Sequence, residues 1–435
     1  MSLETIYAPA TGSGRAAIAI VRLSGPGVVD AVTAMAGALP APRQACFVSL
    51  RDPSDGEIID RGVVLFFPGP GSATGEDYAE FQVHGGAAVV DALLRALARR
   101  PGFRIAEPGE FVRRGFRNGK LDLSQAEALA DLIDAQTEAQ RRQALRLAGG
   151  ALRREVERWR GRLLEALADI EAALDFSDES ETPEASPEGL RTRLATTLSE
   201  MRRALAQAPA SERMRDGFVV LILGPPNAGK STLLNALARR DLAIVSPRAG
   251  TTRDMIEAHL DIEGLPVTFV DTAGLRAAAD EIERIGVDRT IARVASADLI
   301  LWLSDEDAPP PDEIAGSTEI VRVFGKADLK QAPAGRLAIC ARSGAGLPEL
   351  LGSIATRARL AMGDGDSALF ARARHRGAVA DAASALDAAF EAGEKAPELR
   401  AEDLRRAARA LGRIVGDIDV EDILGAIFSR FCIGK

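Results

Sequence analysis

The chain has 435 residues, more than one compact core organises, and divides into roughly two to four domains. Hydrophobic residues make up 46% and charged residues 27%, which excludes a disordered or fibrous protein, and a net charge of −9 excludes a general pull toward nucleic acid, so any such contact is local. No apolar run approaches the roughly 20 residues of a membrane span, and "MSLETIYAPATGSGR" has no charged start followed by an apolar stretch, so the expectation is a cytoplasmic protein with no membrane association. Cys46, Cys340 and Cys432 are far apart and lack C-x-x-C spacing, which argues for reduced thiols rather than disulfides or a zinc site.

In chain order, residues 1–120 alternate short apolar runs with turn residues. Strands are expected at Ala17 to Leu23 and Gly62 to Phe67, with a helix after Gly85 and Gly86, making an α+β domain. From Ser124 the texture turns helical: Ser124 with Glu127 reads as a capping box, and Leu129, Leu132, Ile133 and Ala135 recur at helical spacing. Helical patterning continues through "ALRREVERWRGRLLEALADIEAALDF" and from Leu190 to Ala206. Between them, Asp169 to Glu188 holds eight acids and no Lys or Arg, with Pro183 and Pro187, the composition of a solvated loop. Residues 216–358 alternate strand-like and helical runs, the pattern of a parallel sheet with crossover helices, and residues 359–435 return to helix. A multidomain chain is expected: an α+β domain, then an all-α domain in two parts, 121–215 and 359–435, with the α/β unit inserted between them.

After the strand expected at Phe218 to Leu223, "GPPNAGKST" satisfies G-x-x-x-x-G-K-[ST] from Gly224 through Gly229, Lys230 and Ser231. Backbone N–H groups around Asn227, Ala228 and Gly229 cradle phosphate, Lys230 reaches the β and γ phosphates, Ser231 offers its hydroxyl to magnesium, and Thr232 opens a helix aimed at the anion. "DTAG", Asp271, Thr272, Ala273 and Gly274, follows the strand "PVTFV". Asp271 is placed to hold magnesium through water and the Gly274 amide to sense the γ-phosphate. "GTTRD" supplies Thr252 as a further magnesium ligand. The base-reading N-K-x-D element is here "GKAD", with Gly325 in place of asparagine, Lys326 retained, and Asp328 accepting from guanine N1 and the exocyclic amine. "CARSG" brings Cys340, Ala341 and Arg342, with the Ala341 amide facing guanine O6. These stations in this order describe a GTPase domain. Leu275 follows DTAG where a glutamine would orient water, so Glu281 or Glu283 is the candidate for that task, and the Asn227 amide oxygen suits a monovalent cation beside the phosphates.

With those motifs, "GRAAIAIVRLSG", "TGEDYAEFQVHGG", "PGEFVRRGFRNGKLDLSQAEALADLIDA", "DEIERIG" and the terminal "FCIGK" make the chain resemble the MnmE (TrmE) family of tRNA-modification GTPases over nearly its whole length. The resemblance implies a folate-binding and dimerisation domain at 1–120, a helical domain, and an inserted G domain. It implies potassium held by Asn227, Ser246, Arg248 and Thr251, magnesium held by Ser231 and Thr252, and Glu283 as the carboxylate that positions water. It implies 5-formyl- or 5,10-methylene-tetrahydrofolate contacting Arg22, Glu80, Lys120 and Lys435, with Cys432 brought near the one-carbon unit. It further implies a homodimer that forms a heterotetramer with a flavoprotein of the MnmG (GidA) type and acts on tRNA. Gly434 and Lys435 exclude a prenylation box at Cys432.

Two other readings compete. A GTP-dependent RNA-binding or ribosome-assembly factor requires a basic RNA module, but residues 1–120 hold 13 Lys and Arg against 12 Asp and Glu and show no KH-like GXXG loop. A folate-dependent methyltransferase with a regulatory G domain would act without the flavin partner.

Overall fold

The computed structural model describes residues 4–12, 14–175, 187–239, 256–271, 294, 296–306, 308–312, 314, 318–363, 369–392, 396–417, 421–428, 431 and 434. The elements run β1 Thr5–Pro9, β2 Ile18–Ser24, α1 Val28–Ala36, β3 Cys46–Arg51, β4 Ile58–Phe67, β5 Tyr78–His84, α2 Ala87–Ala98, β6 Phe103–Ile105, α3 Glu110–Arg117, α4 Leu123–Asp134, α5 Glu138–Ala148 and α6 Ala151–Asp175. They continue with α7 Pro187–Asp216, β7 Phe218–Leu223, α8 Lys230–Ala238, β8 Ile256–Ile262, β9 Leu265–Asp271, β10 Leu299–Ser304, β11 Glu319–Phe324, β12 Leu337–Ala338, α9 Leu347–Met362, α10 Ala373–Ala392, α11 Pro397–Val415 and α12 Glu421–Phe428. Two compact units result: Met1–Ala130 with Leu411–Lys435, and Asp131–Ala410. Among the described residues no helix is long and apolar enough to cross a membrane.

The first unit is built on a six-stranded sheet in the order β3-β4-β5-β2-β1-β6, antiparallel except where β6 runs parallel to β1. Period-two alternation turns Ala19, Val21 and Leu23 of β2 inward with Phe81 and Val83 of β5, onto Val28, Val32, Leu93 and Leu97 of α1 and α2. The intervening residue Arg22 therefore faces the other side, opposite Glu80. At the end of the chain, Leu424 and Phe428 of α12 with Phe431 pack on Leu123 and Ala126 of α4.

Beneath α3 lies a buried ionic cluster. The Glu110 carboxylate, 3% exposed, accepts from Arg104 Nη2 at 2.6 Å, from Arg114 Nη2 at 3.2 Å and from the Glu107 N–H at 2.9 Å. Arg114 also donates to Glu76 at 2.9 Å. Burial alone would raise the Glu110 pKa, yet the Arg104 hydrogen bonds, the Glu107 amide and the arginine charges outweigh it and hold the group at about 2.

The second unit combines helices with a six-stranded sheet, β12-β11-β10-β7-β9-β8, parallel except for β8, which is antiparallel to β9. Strands β9 and β10 are buried along their whole length, as strands covered on both faces must be. Leu233 and Leu237 of α8 and Leu350 and Ile354 of α9 cover one face, and Leu221, Leu223, Ile300 and Trp302 form the core on the other. The helical segments before and after the sheet meet in this unit. The fully buried Trp159 ring of α6 stacks on Phe370 with centroids 5.5 Å apart, and its Nε1 donates to Glu200 of α7 at 2.9 Å. Arg376 and Glu212 add an ion pair at 2.7 Å between α10 and α7.

Two expectations need correction, and one strand was not anticipated. The box at the start of α4 is formed by Asp122 and Gln125, not Ser124 and Glu127: the Gln125 N–H donates to Asp122 Oδ1 at 2.9 Å and the Asp122 N–H to Gln125 Oε1 at 3.0 Å. Ser124 sits inside the helix and donates to Asp122 at 2.5 Å. The acidic stretch is not loop throughout, because α6 runs to Asp175 and Pro187 opens α7 at the position where a missing N–H costs nothing; Pro183 lies outside the described residues. Strand β8, "IEAHLDI", was not anticipated; its polar alternation suits an edge strand with one face toward solvent.

Truncating Trp159 to Ala is expected to cost about 3–5 kcal/mol in denaturant unfolding, and Trp159→Phe about 1 kcal/mol through the lost Glu200 bond. Because the Glu110 pKa lies below its ordinary 4.5, its stabilisation is complete above pH 4.5 and is lost as pH falls toward 2. Glu110→Gln should flatten that part of the stability–pH curve, measured by thermal unfolding between those limits.

Candidate nucleotide site and N-terminal site

The nucleotide site sits where β7 ends. Gly224, φ 151°, passes so close to β10 that a Cβ would stand 1.9 Å from the Leu303 carbonyl oxygen, so only glycine permits the turn. Asn227 follows in the left-handed region at φ 62°, exposed, and Gly229, φ 97°, is the residue from which α8 starts. Lys230 Nζ donates to the Gly224 and Pro225 carbonyls at 3.0 and 2.9 Å, folding its ammonium across the mouth of its own loop. Ser231 Oγ donates to Asp271 Oδ2 at 2.7 Å. This contact joins the loop after β7 to the end of β9, and the pair offers the two hard oxygens that magnesium prefers.

The base end is built from the ends of β11 and β12. Gly325 is buried; a Cβ there would lie 3.2 Å from both the Ala228 carbonyl oxygen and Leu303 Cδ1, so the backbone of the base-reading loop touches the phosphate loop directly. Lys326, φ 53°, pairs with Asp305 at 2.9 Å, and the Lys326 hydrogen bond lowers the Asp305 pKa. Asp328 is exposed and free to meet a ligand edge, while the Ala327 N–H donates to Ile339 at 3.1 Å and ties the two base loops together. Cys340 is buried; its N–H donates to Ala345 and its carbonyl accepts from Gly344, each at 2.9 Å, closing the turn that presents Ala341 and Arg342. A cleft of about 530 Å³ brings Thr232, Ala341 and Arg342 together with Asn235 and Arg239 of the α8 end.

Thus the geometry unites Lys230, Ser231 and Asp271, and separately Thr232, Ala341 and Arg342. Ser246, Arg248, Thr251, Thr252, Thr272, Ala273, Gly274 and Glu283 lie outside the described residues. Asp305, the anchor of Lys326, was not anticipated; its signal is its place just past β10, where ligand-facing loops of a parallel sheet begin.

In the first unit, Arg22 Nε lies 3.5 Å from Glu80 Oε1, and the Tyr78 hydroxyl donates to the same oxygen at 3.0 Å; burial pushes the Tyr78 phenol far up. Arg22 Nη1 reaches the Gly434 carbonyl at 3.5 Å. Gly434, φ 94°, presses on β1 so tightly that a Cβ would stand 2.0 Å from the Pro9 carbonyl oxygen. The Arg22 Nε is buried without a hydrogen-bond partner among the described residues. Lys120 is exposed and, among the described residues, touches neither Arg22 nor Glu80; Cys432 and Lys435 lie outside them.

The model of the MnmE helical domain matches residues 123–432, and that of the GTP-binding protein TrmE N-terminus matches residues 5–120. The chain belongs to the MnmE family of tRNA-modification GTPases. It is 53% identical to the tRNA modification GTPase MnmE of Beijerinckia indica subsp. indica, over 100% of this chain and 96% of that one. It is 50% identical to that of Azorhizobium caulinodans, over 100% and 99%. A solved variant of Era from Aquifex aeolicus, bound to GDP and aluminium fluoride, is 29% identical over 32% of this chain and 56% of that chain, with a TM-score of 0.25, a superposition too loose to inform this one. Membership makes the chain a GTP hydrolase that acts in tRNA modification, with an α/β P-loop GTPase domain inserted in its helical domain.

Exchanging the acceptor at position 328 tests the base end. Asp328→Asn should weaken GTP binding on the order of a hundredfold and improve binding of xanthosine triphosphate, whose 2-oxo group accepts from the new amide, as read by equilibrium titration.

Proposed function

We propose that this GTPase is potassium-dependent and works as a homodimer with a flavin-dependent partner of the MnmG (GidA) type, the two forming a heterotetramer. The assembly adds an aminomethyl or carboxymethylaminomethyl group at C5 of the wobble uridine of certain tRNAs, in the cytoplasm. Tetrahydrofolate, as its 5-formyl or 5,10-methylene form, supplies the carbon, and the partner's flavin supplies the redox step.

One observation carries the reading: the end of the chain is seated in the N-terminal unit, with Gly434 between Pro9 and the Arg22–Glu80 pair. A folate fits that donor set. The buried Arg22 Nε, which makes no hydrogen bond among the described residues, has a bond left for a carboxylate or ring nitrogen, and the Glu80 carboxylate, already ordered by Tyr78, accepts from a pterin N–H edge. Lys120 and Lys435 add cationic anchors for the glutamate tail. Cys432, two residues before Gly434, is then within reach of the carbon unit. Residues 1–120 form the folate-binding and dimerisation domain in this reading, 121–215 and 359–435 the helical domain, and 216–358 the G domain.

At the nucleotide, Lys230 swings from the Gly224 and Pro225 carbonyls to the β and γ phosphates. The Ser231–Asp271 contact supports magnesium between those groups, completed by Thr252. The exposed, left-handed Asn227 supports potassium at the outer edge of the loop, with Ser246, Arg248 and Thr251 as the remaining ligands and Glu283 orienting water. Gly229, Thr272, Ala273 and Gly274 line the phosphates; Lys326, Asp328, Cys340, Ala341 and Arg342 hold guanine. Hydrolysis opens and closes paired G domains rather than supplying a bond.

Mass spectrometry of tRNA nucleosides from a deletion strain should show the C5 substituent missing from wobble uridines; unchanged uridines would overturn the reading. GTP turnover should fall at least tenfold when sodium replaces potassium, and equal rates would remove Asn227 from its role. Labelled tetrahydrofolate should bind the purified chain and lose affinity about tenfold in Arg22→Ala, the range of one charge-assisted hydrogen bond.

A further inference from the structure

Among the described residues, the cleft beside the base end of the nucleotide site is lined by two arginines and no acid. Arg239 enters it from the C-terminal end of α8 and Arg342 from the turn after Cys340; Thr232, Asn235, Ala341 and Ser343 supply the rest of its polar wall. Both arginines are exposed, and among the described residues neither guanidinium has a hydrogen-bond or ion-pair partner. Several surface arginines elsewhere in the molecule pair with carboxylates, as Arg141 and Arg142 do with Glu138 and Arg158 does with Glu155. Two like charges turned into one cleft without a carboxylate repel each other unless a ligand lies between them.

The position of Arg239 limits what that ligand offers. The phosphate loop ends at Gly229, and Arg239 follows nine residues after Lys230 leaves it. At about 1.5 Å rise per residue the Arg239 backbone is roughly 13 Å farther along the helix, well beyond the γ-phosphate. It shares the cleft instead with Ala341 and Arg342, on the side where guanine is bound. Gly325 brings no side chain to this end, leaving Asp328 as the acidic group that reads the ring's edge. What remains open is the ring's face, and a planar, weakly hydrated guanidinium is suited to lie on a purine.

We propose that Arg239 is a nucleotide-binding residue whose guanidinium stacks on the guanine face beside Arg342, supplying affinity at the base end of the GTP site. The inference rests on the reading that guanine is bound at Asp328 and Ala341. Replacing Arg239 removes binding that does not depend on phosphate count. In the full-length protein with potassium and magnesium, Arg239→Ala should raise Kd about tenfold for GTP, GDP and GMP alike, measured by competition against a fluorescent guanine nucleotide, and Arg239→Trp, which keeps a flat stacking surface, should stay within about threefold of the parent. The melting temperature of the nucleotide-free protein should stay unchanged in both variants, which separates contact with ligand from a structural role. Unchanged Kd values overturn the proposal. So does a loss confined to GTP, which would mark a phosphate contact, or a loss of tRNA binding with nucleotide affinity intact. Asp328→Asn separates the layers: if it leaves GTP affinity intact, the base-site reading falls and this inference with it, whereas a loss there with no effect of Arg239→Ala removes this inference alone.

Discussion

The nucleotide-binding sheet is joined to the helical frame by Asp298. Its Oδ1 accepts from Arg213 Nε at 2.5 Å, near the end of the 30-residue helix Pro187–Asp216, and its Oδ2 accepts from the Val219 N–H at 2.9 Å, in the first turn of pairing of the central strand. Helix and strand meet at Gly217, φ 97°, and the six residues of that strand then deliver the phosphate loop. A load applied at the loop therefore has a short, hydrogen-bonded path into a helix that also carries Glu200, the acceptor for Trp159. Rigid elements with few soft dihedrals between them transmit displacement rather than absorb it.

A second link runs through the hairpin of Ile256–Ile262 and Leu265–Asp271. Its turn, at Glu263 and Gly264, accepts from the Ala139 N–H at 3.2 Å at the start of the helix Glu138–Ala148, whose Thr137 cap fixes that end. Arg359 closes the same turn onto the helix Leu347–Met362 through Glu263 at 2.6 Å. The hairpin ends at Asp271, the partner of Ser231, so the phosphate loop and the helical frame are tied by one two-stranded lever. In the N-terminal unit the outward row of the sheet places Arg22 opposite Glu80, and Gly434 lies against Pro9 and Arg22 on two interior strands.

Strong local rules made much of this legible in the sequence. The run "FVVLIL" before "GPPNAGKST" matched its strand residue for residue, because a buried central strand has to be continuously apolar and a phosphate loop has to be glycine-rich. The Gly85–Gly86 break correctly announced the helix Ala87–Ala98. What the sequence obscured were choices between equivalent local partners. Asp122–Gln125 and Ser124–Glu127 both satisfy the capping pattern at the same spacing, and the first is the one formed, with Leu123 and Ala126 packed in one cluster with Phe428. The edge strand "IEAHLDI" is too polar to announce itself. Arg239 was unremarkable as one more helix-end arginine until folding set it beside Arg342 in a cleft with no acid among the described residues.

In the proposed function nucleotide turnover becomes motion, and the Asp298 joint is a hydrogen-bonded connection between the nucleotide-binding sheet and the helical frame. Asp298→Asn keeps an acceptor for the Val219 N–H while replacing the charge that holds Arg213. The decisive measurement is the ratio of wobble-uridine modification to GTP hydrolysed in the reconstituted system with this variant. The account predicts that hydrolysis continues while modification per GTP falls severalfold; a ratio equal to the parent's would contradict it.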